Sequence, residues 1–110
     1  MNANPERGEV AFQLGEEKGV LCAEMARLAA LSGKLGTKTL HEVYERLAGS
    51  EPMAMYHAVD CMLIDGDAKA LKRNIRQPSD FQIVSEAVLT SLTALIGDAD
   101  EKKTTETGSP

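Results

Sequence analysis

The chain has 110 residues and a mass of 11.8 kDa, a size that buries about 65% of its unfolded surface and supports one core rather than two. Hydrophobic residues at 43% and charged residues at 26% exclude an intrinsically disordered chain. Aromatics at 4%, with no Trp, argue against a β-sandwich or barrel. A net charge of −5 argues against non-specific binding to nucleic acid or to an anionic membrane.

Residues 1–8 are polar and include Pro5 and Gly8, which reads as an extended arm. Val10, Phe12 and Leu14 then alternate with Glu9, Ala11 and Gln13, the period-two pattern of a strand. Gly15 to Gly19 supplies turn residues and Val20-Leu21-Cys22 a return strand, so a short hairpin is expected. A lone hairpin is marginal in water and needs a helical layer to pack on. From Ala23 the period lengthens. Met25, Leu28, Leu31 and Leu35 make the apolar side of a first helix ending near Gly33 or Gly36, and Ala26, Ala29 and Ala30 make a small-residue face.

Thr39-x-x-Glu42 is a capping box, and Leu40, Val43, Tyr44 and Leu47 follow it at helical spacing up to Gly49. Ser50 is the expected cap of a third helix, with Pro52 in its first turn and Met55, Tyr56, Val59, Met62 and Leu63 as its buried stripe. Asp67 caps a short fourth helix carrying Ala68, Leu71 and Ile75. After Pro78, Ser79-x-x-Gln82 reads as a second capping box, opening a helix over about residues 80–96 that Gly97 stops. The fold expected is mainly α: a short N-terminal β-hairpin packed on a compact bundle of about five helices, one domain over 1–97, followed by a disordered polar tail over 98–110.

Few side chains point to chemistry. Cys22 and Cys61 form no C-x-x-C, so neither a zinc knuckle nor a dithiol motif is expected, and a reduced pair is the preferred reading. His57, Asp60 and Cys61 stand at i, i+3 and i+4, a spacing that can put three ligands on one helix face. They lack an obvious fourth ligand and lie opposite the Met/Val/Leu stripe, so a solvated polar face is preferred, and His41 is read as solvated too. Asp65-Gly66-Asp67 lacks the further oxygen ligands of a calcium loop. No nucleophile elbow, phosphate loop or His/Cys pair with an orienting acid is present. Neither catalysis nor a cofactor or metal is expected. The side of the fourth helix carrying Lys69, Lys72, Arg73 and Arg76 is either an anion-facing patch or, as preferred here, a solvated face whose arginines complement the helix C-terminus.

The last helix is the most telling. Phe81, Val84, Val88, Leu92 and Leu95 form one stripe; Ile83, Ala87 and Ala94 widen it on one side, Leu89 and Ile96 on the other. Its apolar arc spans about 240°, which marks a central rod or an interface. The stripe is assigned to the core and the flank Ile83, Ala87, Ala94 to a partner surface, with self-association expected. Met25, Met53, Met55 and Met62 fit gap-filling core positions, but methionines also suit adaptable binding surfaces, so Met53 and Met55 join the candidate interface. The N-terminus lacks the pattern of a signal peptide and the longest strongly apolar run, Cys61 to Ile64, is too short to span a bilayer. A cytoplasmic location without membrane or nucleic-acid partners is expected.

Asn4-Pro5-Glu6-Arg7-Gly8-Glu9-Val10, then a short hairpin, a helix ending in Leu35-Gly36, and Thr39-Leu40-x-x-Val43-x-x-Arg46-Leu47 together resemble the gene transfer agent family of small tail proteins, which are similar to phage tail assembly chaperones. The Asn4-Pro5-x-Arg7-Gly8-Glu9 start is the most specific part, and the helical order matches to about residue 97. The resemblance implies a non-enzymatic role: coating the tape-measure protein, keeping its apolar helices soluble, recruiting tail-tube protein and leaving before the particle is finished. It implies no catalytic, metal or cofactor residue. Two other readings stand beside it. One is a structural tail or head–tail adaptor component that stays in the particle. The other is a small helix-turn-helix DNA-binding regulator using Lys69 to Arg76, which the acidic balance disfavours.

Overall fold

The computed structural model describes the backbone of residues 8–107 and the side chains of residues 8–94; the expected N-terminal arm over 1–7 lies outside the described residues. The chain is mainly α-helical with a small antiparallel sheet. The elements run β1 (Glu9–Leu14), β2 (Glu17–Cys22), α1 (Met25–Leu35), α2 (Leu40–Ala48), α3 (Pro52–Met62), β3 (Leu63–Asp65), α4 (Ala68–Arg73) and α5 (Pro78–Thr107).

β1 pairs with β2 from Glu9↔Cys22 to Leu14↔Glu17, so the return strand is twice the length expected and the turn is only Gly15-Glu16. Gly15 has φ +63° while Glu16 has no positive φ, the sign pattern of a type II′ turn, which matches the twist of the flanking strands. The sheet has a third strand that the sequence does not announce. β3 leaves α3 without a linker and pairs antiparallel with β2 through Val20↔Asp65 and Leu21↔Leu63, around an irregularity in register. Leu63 is therefore the C-cap of α3, its N–H donating to Val59 O, rather than part of the helical stripe. The free edge of β2 supplies backbone partners that a further helical turn would forgo. Gly66 makes this possible: its φ is +114°, and a Cβ there would lie 2.6 Å from Lys18 O, so only glycine lets the β3–α4 turn lie against β2.

Capping decides several boundaries. Thr39 Oγ1 accepts from the Glu42 N–H at 3.1 Å, and Glu42 Oε1 accepts from the Lys38 N–H at 3.2 Å, so the expected box forms with its return bond one residue early. Asp67 Oδ1 accepts from the N–H groups of Lys69 and Ala70. Ser50 does not cap α3. Glu51 holds that position, Pro52 follows at the helix start, and Ser50 instead closes α2 at φ +55° with its N–H donating to Leu47 O. The Ser79–Gln82 box does not form either: α5 starts at Pro78, because proline suits the first helical position, where its missing N–H costs nothing. Asp80 Oδ2 then accepts from the Arg76 N–H at 3.2 Å. α5 also runs through Gly97 to Thr107. One glycine costs a helix about 1 kcal/mol without barring it, and Ala99, Glu101, Lys102 and Lys103 are good helix formers. The stretch expected as a disordered tail thus carries helical backbone as far as Thr107, and residues 108–110 lie outside the described residues.

The core joins all layers. Leu14 and Leu21 of the sheet, Leu28 and Leu31 of α1, Val43 and Leu47 of α2, Met55, Val59 and Met62 of α3, Leu71 of α4 and Val84, Val88 and Leu92 of α5 are all buried. α3 is its axis, touching every other helix and both β2 and β3. Three expected core residues are outside it. Met25 is exposed because it is the first residue of α1, Tyr44 lies at the edge of its stripe, and Tyr56 is only partly buried, on the side of α3 that faces the start of α5.

Candidate functional site

The resemblance-bearing pattern over 39–47 is accounted for by folding. Thr39 caps α2, Val43 and Leu47 are fully buried, and Leu40 packs against the core. Arg46 ties three helices together: its Nε donates to Glu51 Oε1 at 2.7 Å, just before α3, and its Nη1 donates to Leu35 O at 3.3 Å, at the end of α1. At the other end of the pattern, Gly8 O accepts from Ser91 Oγ of α5 at 2.5 Å, which anchors the start of β1. Asn4 to Arg7 lie outside the described residues.

The His57, Asp60, Cys61 face does not exist as a polar face. Cys61 is 9% exposed and belongs to the core, His57 is half-buried, and only Asp60 reaches solvent, where its Oδ1 pairs with Lys72 Nζ at 2.7 Å. The reason is that α1 covers this side of α3 while α5 covers another. Burial pushes the Cys61 thiol above its ordinary pKa, with Asp60 adding to the rise and Lys34 opposing it. Among the described residues no group of three or more His, Cys, Asp and Glu could hold a metal ion. Both cysteines are buried and neither is in a disulfide. No helix is long and apolar enough to cross a membrane, among the described residues.

The five candidate interface residues separate. Met53, at 60% exposed, and Ile83, at 39%, present apolar surface to solvent. Met55 is 0% exposed and Ala87 5%, so neither can meet a partner while the chain is folded. Met55 faces the centre because α3 is the axis of the core, and Ala87 is covered where α5 lies on the layers beneath it. Ala94 is half-buried. The core stripe of α5 holds at Val84, Val88 and Leu92, with Phe81 only partly buried; Leu95 lies outside the described side chains. The basic side of α4 is split: Lys72 is spent on Asp60, while Lys69, Arg73 and Arg76 are exposed.

The structure adds a feature that sequence reasoning missed. Pro52 and Tyr56 of α3, Ile75, Arg76 and Gln77 of the α4–α5 link, and Pro78 and Phe81 of α5 line an open groove of about 360 Å³. Each of the two helices contributes its starting proline and an aromatic one turn later. That Pro-then-aromatic pattern was the available signal, but the sequence places the prolines at helix starts and assigns Tyr56 and Phe81 to the buried stripes of their helices. Comparison of the chain with family models, curated proteins and solved structures finds no match.

Proposed function

We propose that this chain is a non-enzymatic tail assembly chaperone of a prophage-derived gene transfer agent, acting in the cytoplasm, self-associating, binding the tape-measure protein and helping to recruit tail-tube protein. The observation that carries this reading is the opening Asn4-Pro5-Glu6-Arg7-Gly8-Glu9-Val10 followed at the matching distance by Thr39-Leu40-x-x-Val43-x-x-Arg46-Leu47. The exposed apolar side chains Met25, Met53 and Ile83 support it: a client that is itself a long apolar helix is held by apolar surface, and unbranched methionines adapt to varied client side chains.

Co-expression with the tape-measure protein of such a particle tests the proposal. The chaperone reading predicts that the tape-measure protein is soluble only when this chain is present, that the two co-purify, and that finished particles lack this chain. A chain retained in purified particles would mark a structural tail or adaptor component instead. Salt-dependent binding to duplex DNA would mark the regulator.

A further inference from the structure

The groove between the starts of α3 and α5 combines an apolar floor with an uncompensated cation. Pro52, Tyr56, Ile75, Pro78 and Phe81 supply the floor. Among the described residues, Arg76 is the one charged residue lining it, and no carboxylate does. Among the described residues, the guanidinium of Arg76 has no carboxylate partner: its Nε donates to Arg73 O at 3.5 Å, while the nearby Asp80 carboxylate is taken up by the Arg76 backbone N–H. Arg73 and Lys69, at i−3 and i−7 from Arg76, are likewise exposed and have no ion pair among the described residues. This is a local basic rim on a chain of net charge −5.

We infer that this groove docks a short peptide segment of a partner protein that presents apolar side chains next to a glutamate or aspartate. The apolar side chains would cover Tyr56, Phe81 and the two prolines, removing from water surface that the folded chain leaves wet. The carboxylate would sit against Arg76, where a guanidinium offers two donors in the geometry a carboxylate accepts. Charge complementarity selects this occupant. A nucleic acid would meet too few cations to be held. The inference rests on the chaperone reading only in that it names which surface takes the client.

The test uses the full chain and two capped dodecapeptides, one of leucine, alanine and glutamate, the other with lysine in place of every glutamate. Titration is followed by Tyr fluorescence and calorimetry, for the parent and for Arg76→Glu, an exposed substitution whose melting curve checks that the fold is intact. The glutamate peptide should bind the parent and lose about five- to ten-fold in affinity to Arg76→Glu, while the lysine peptide gains. Equal binding of both peptides, no binding of either, an unaltered affinity in Arg76→Glu, tighter binding of an oligothymidylate, or a concentration-dependent dimer abolished by Arg76→Glu would each overturn it. If Arg76→Glu still co-purifies with the tape-measure protein at parental yield, the groove is not the client site although the chaperone reading stands. If the glutamate peptide binds and the tape-measure protein does not, the groove stands and the chaperone reading fails.

Discussion

α3 and α5 are both apolar beyond a single stripe, yet they use the excess differently. α3 has the narrower apolar stripe in sequence, with His57 and Asp60 expected to face water, but Ala54, Met55, Ala58, Val59, Cys61 and Met62 are all buried. α5 has the wider arc and still leaves Ile83 exposed while burying two of its three serines, Ser85 and Ser91. The difference is position. α3 has neighbours on several sides, whereas α5 lies across the outside of β1, β2, α2 and α3. Burial on a helix in a chain this small therefore follows how many layers surround it. The width of the apolar arc sets only which residues can tolerate being covered.

The largest expected effect of testing this contrast is on the inner face of α5. Leu92→Ala should lose about 2–5 kcal/mol in urea denaturation, because Leu92 is fully buried and the site is closed by several elements. A loss below about 1 kcal/mol would mean that α5 is only loosely applied. At the junction leading into α3, Ser50 holds φ +55°, a region that costs an L-residue about 1–2 kcal/mol. Ser50→Gly should stabilise the chain by up to about 1 kcal/mol after losing the 3.3 Å hydroxyl contact with Ser85, and Ser50→Val should destabilise it. The reverse order would show that the Ser50–Ser85 contact outweighs the strain.

On the outer face of α5, Ile83→Glu should change stability by no more than about 0.5 kcal/mol while reducing self-association in light scattering. A large destabilisation would place Ile83 in the core. The smallest effect concerns the thiol on α3. Because the folded-state pKa of Cys61 is raised, protonation of the thiol supports folding fully below the ordinary value of 9.0, and that support is lost as pH rises through the folded-state value. The stability difference between the parent and Cys61→Ala should therefore change above pH 9.0 in the direction that disfavours the parent. A flat difference would mean that Cys61 is as well solvated folded as unfolded.

Much of the fold was legible because the relevant signals are local. The alternation over Glu9–Leu14, the Thr39 and Asp67 caps and the buried row Val84, Val88, Leu92 all follow from period and capping chemistry. β3 was not legible, since three residues carry no period and Leu63 continues a helical stripe; what makes them a strand is the waiting edge of β2 and a glycine that tolerates close approach. The candidate interface was legible only in part. Helical spacing groups Ile83 with Ala87 but cannot say which of the two a neighbouring layer covers, and Met53 and Met55 are grouped by residue type although a separation of two residues puts them on opposite faces of a helix. The groove required the starts of two helices separated by more than twenty residues to meet, a non-local fact.

The central claim, that α3 is the axis of the core and offers partners only its outer start, is tested most directly by a single pair of variants two residues apart. Urea denaturation of Met55→Ala and Met53→Ala compares a side chain that is 0% exposed with one that is 60% exposed. The account predicts a loss of about 2–5 kcal/mol for Met55→Ala and less than about 0.5 kcal/mol for Met53→Ala. Equal losses, or a larger loss at Met53, would contradict it.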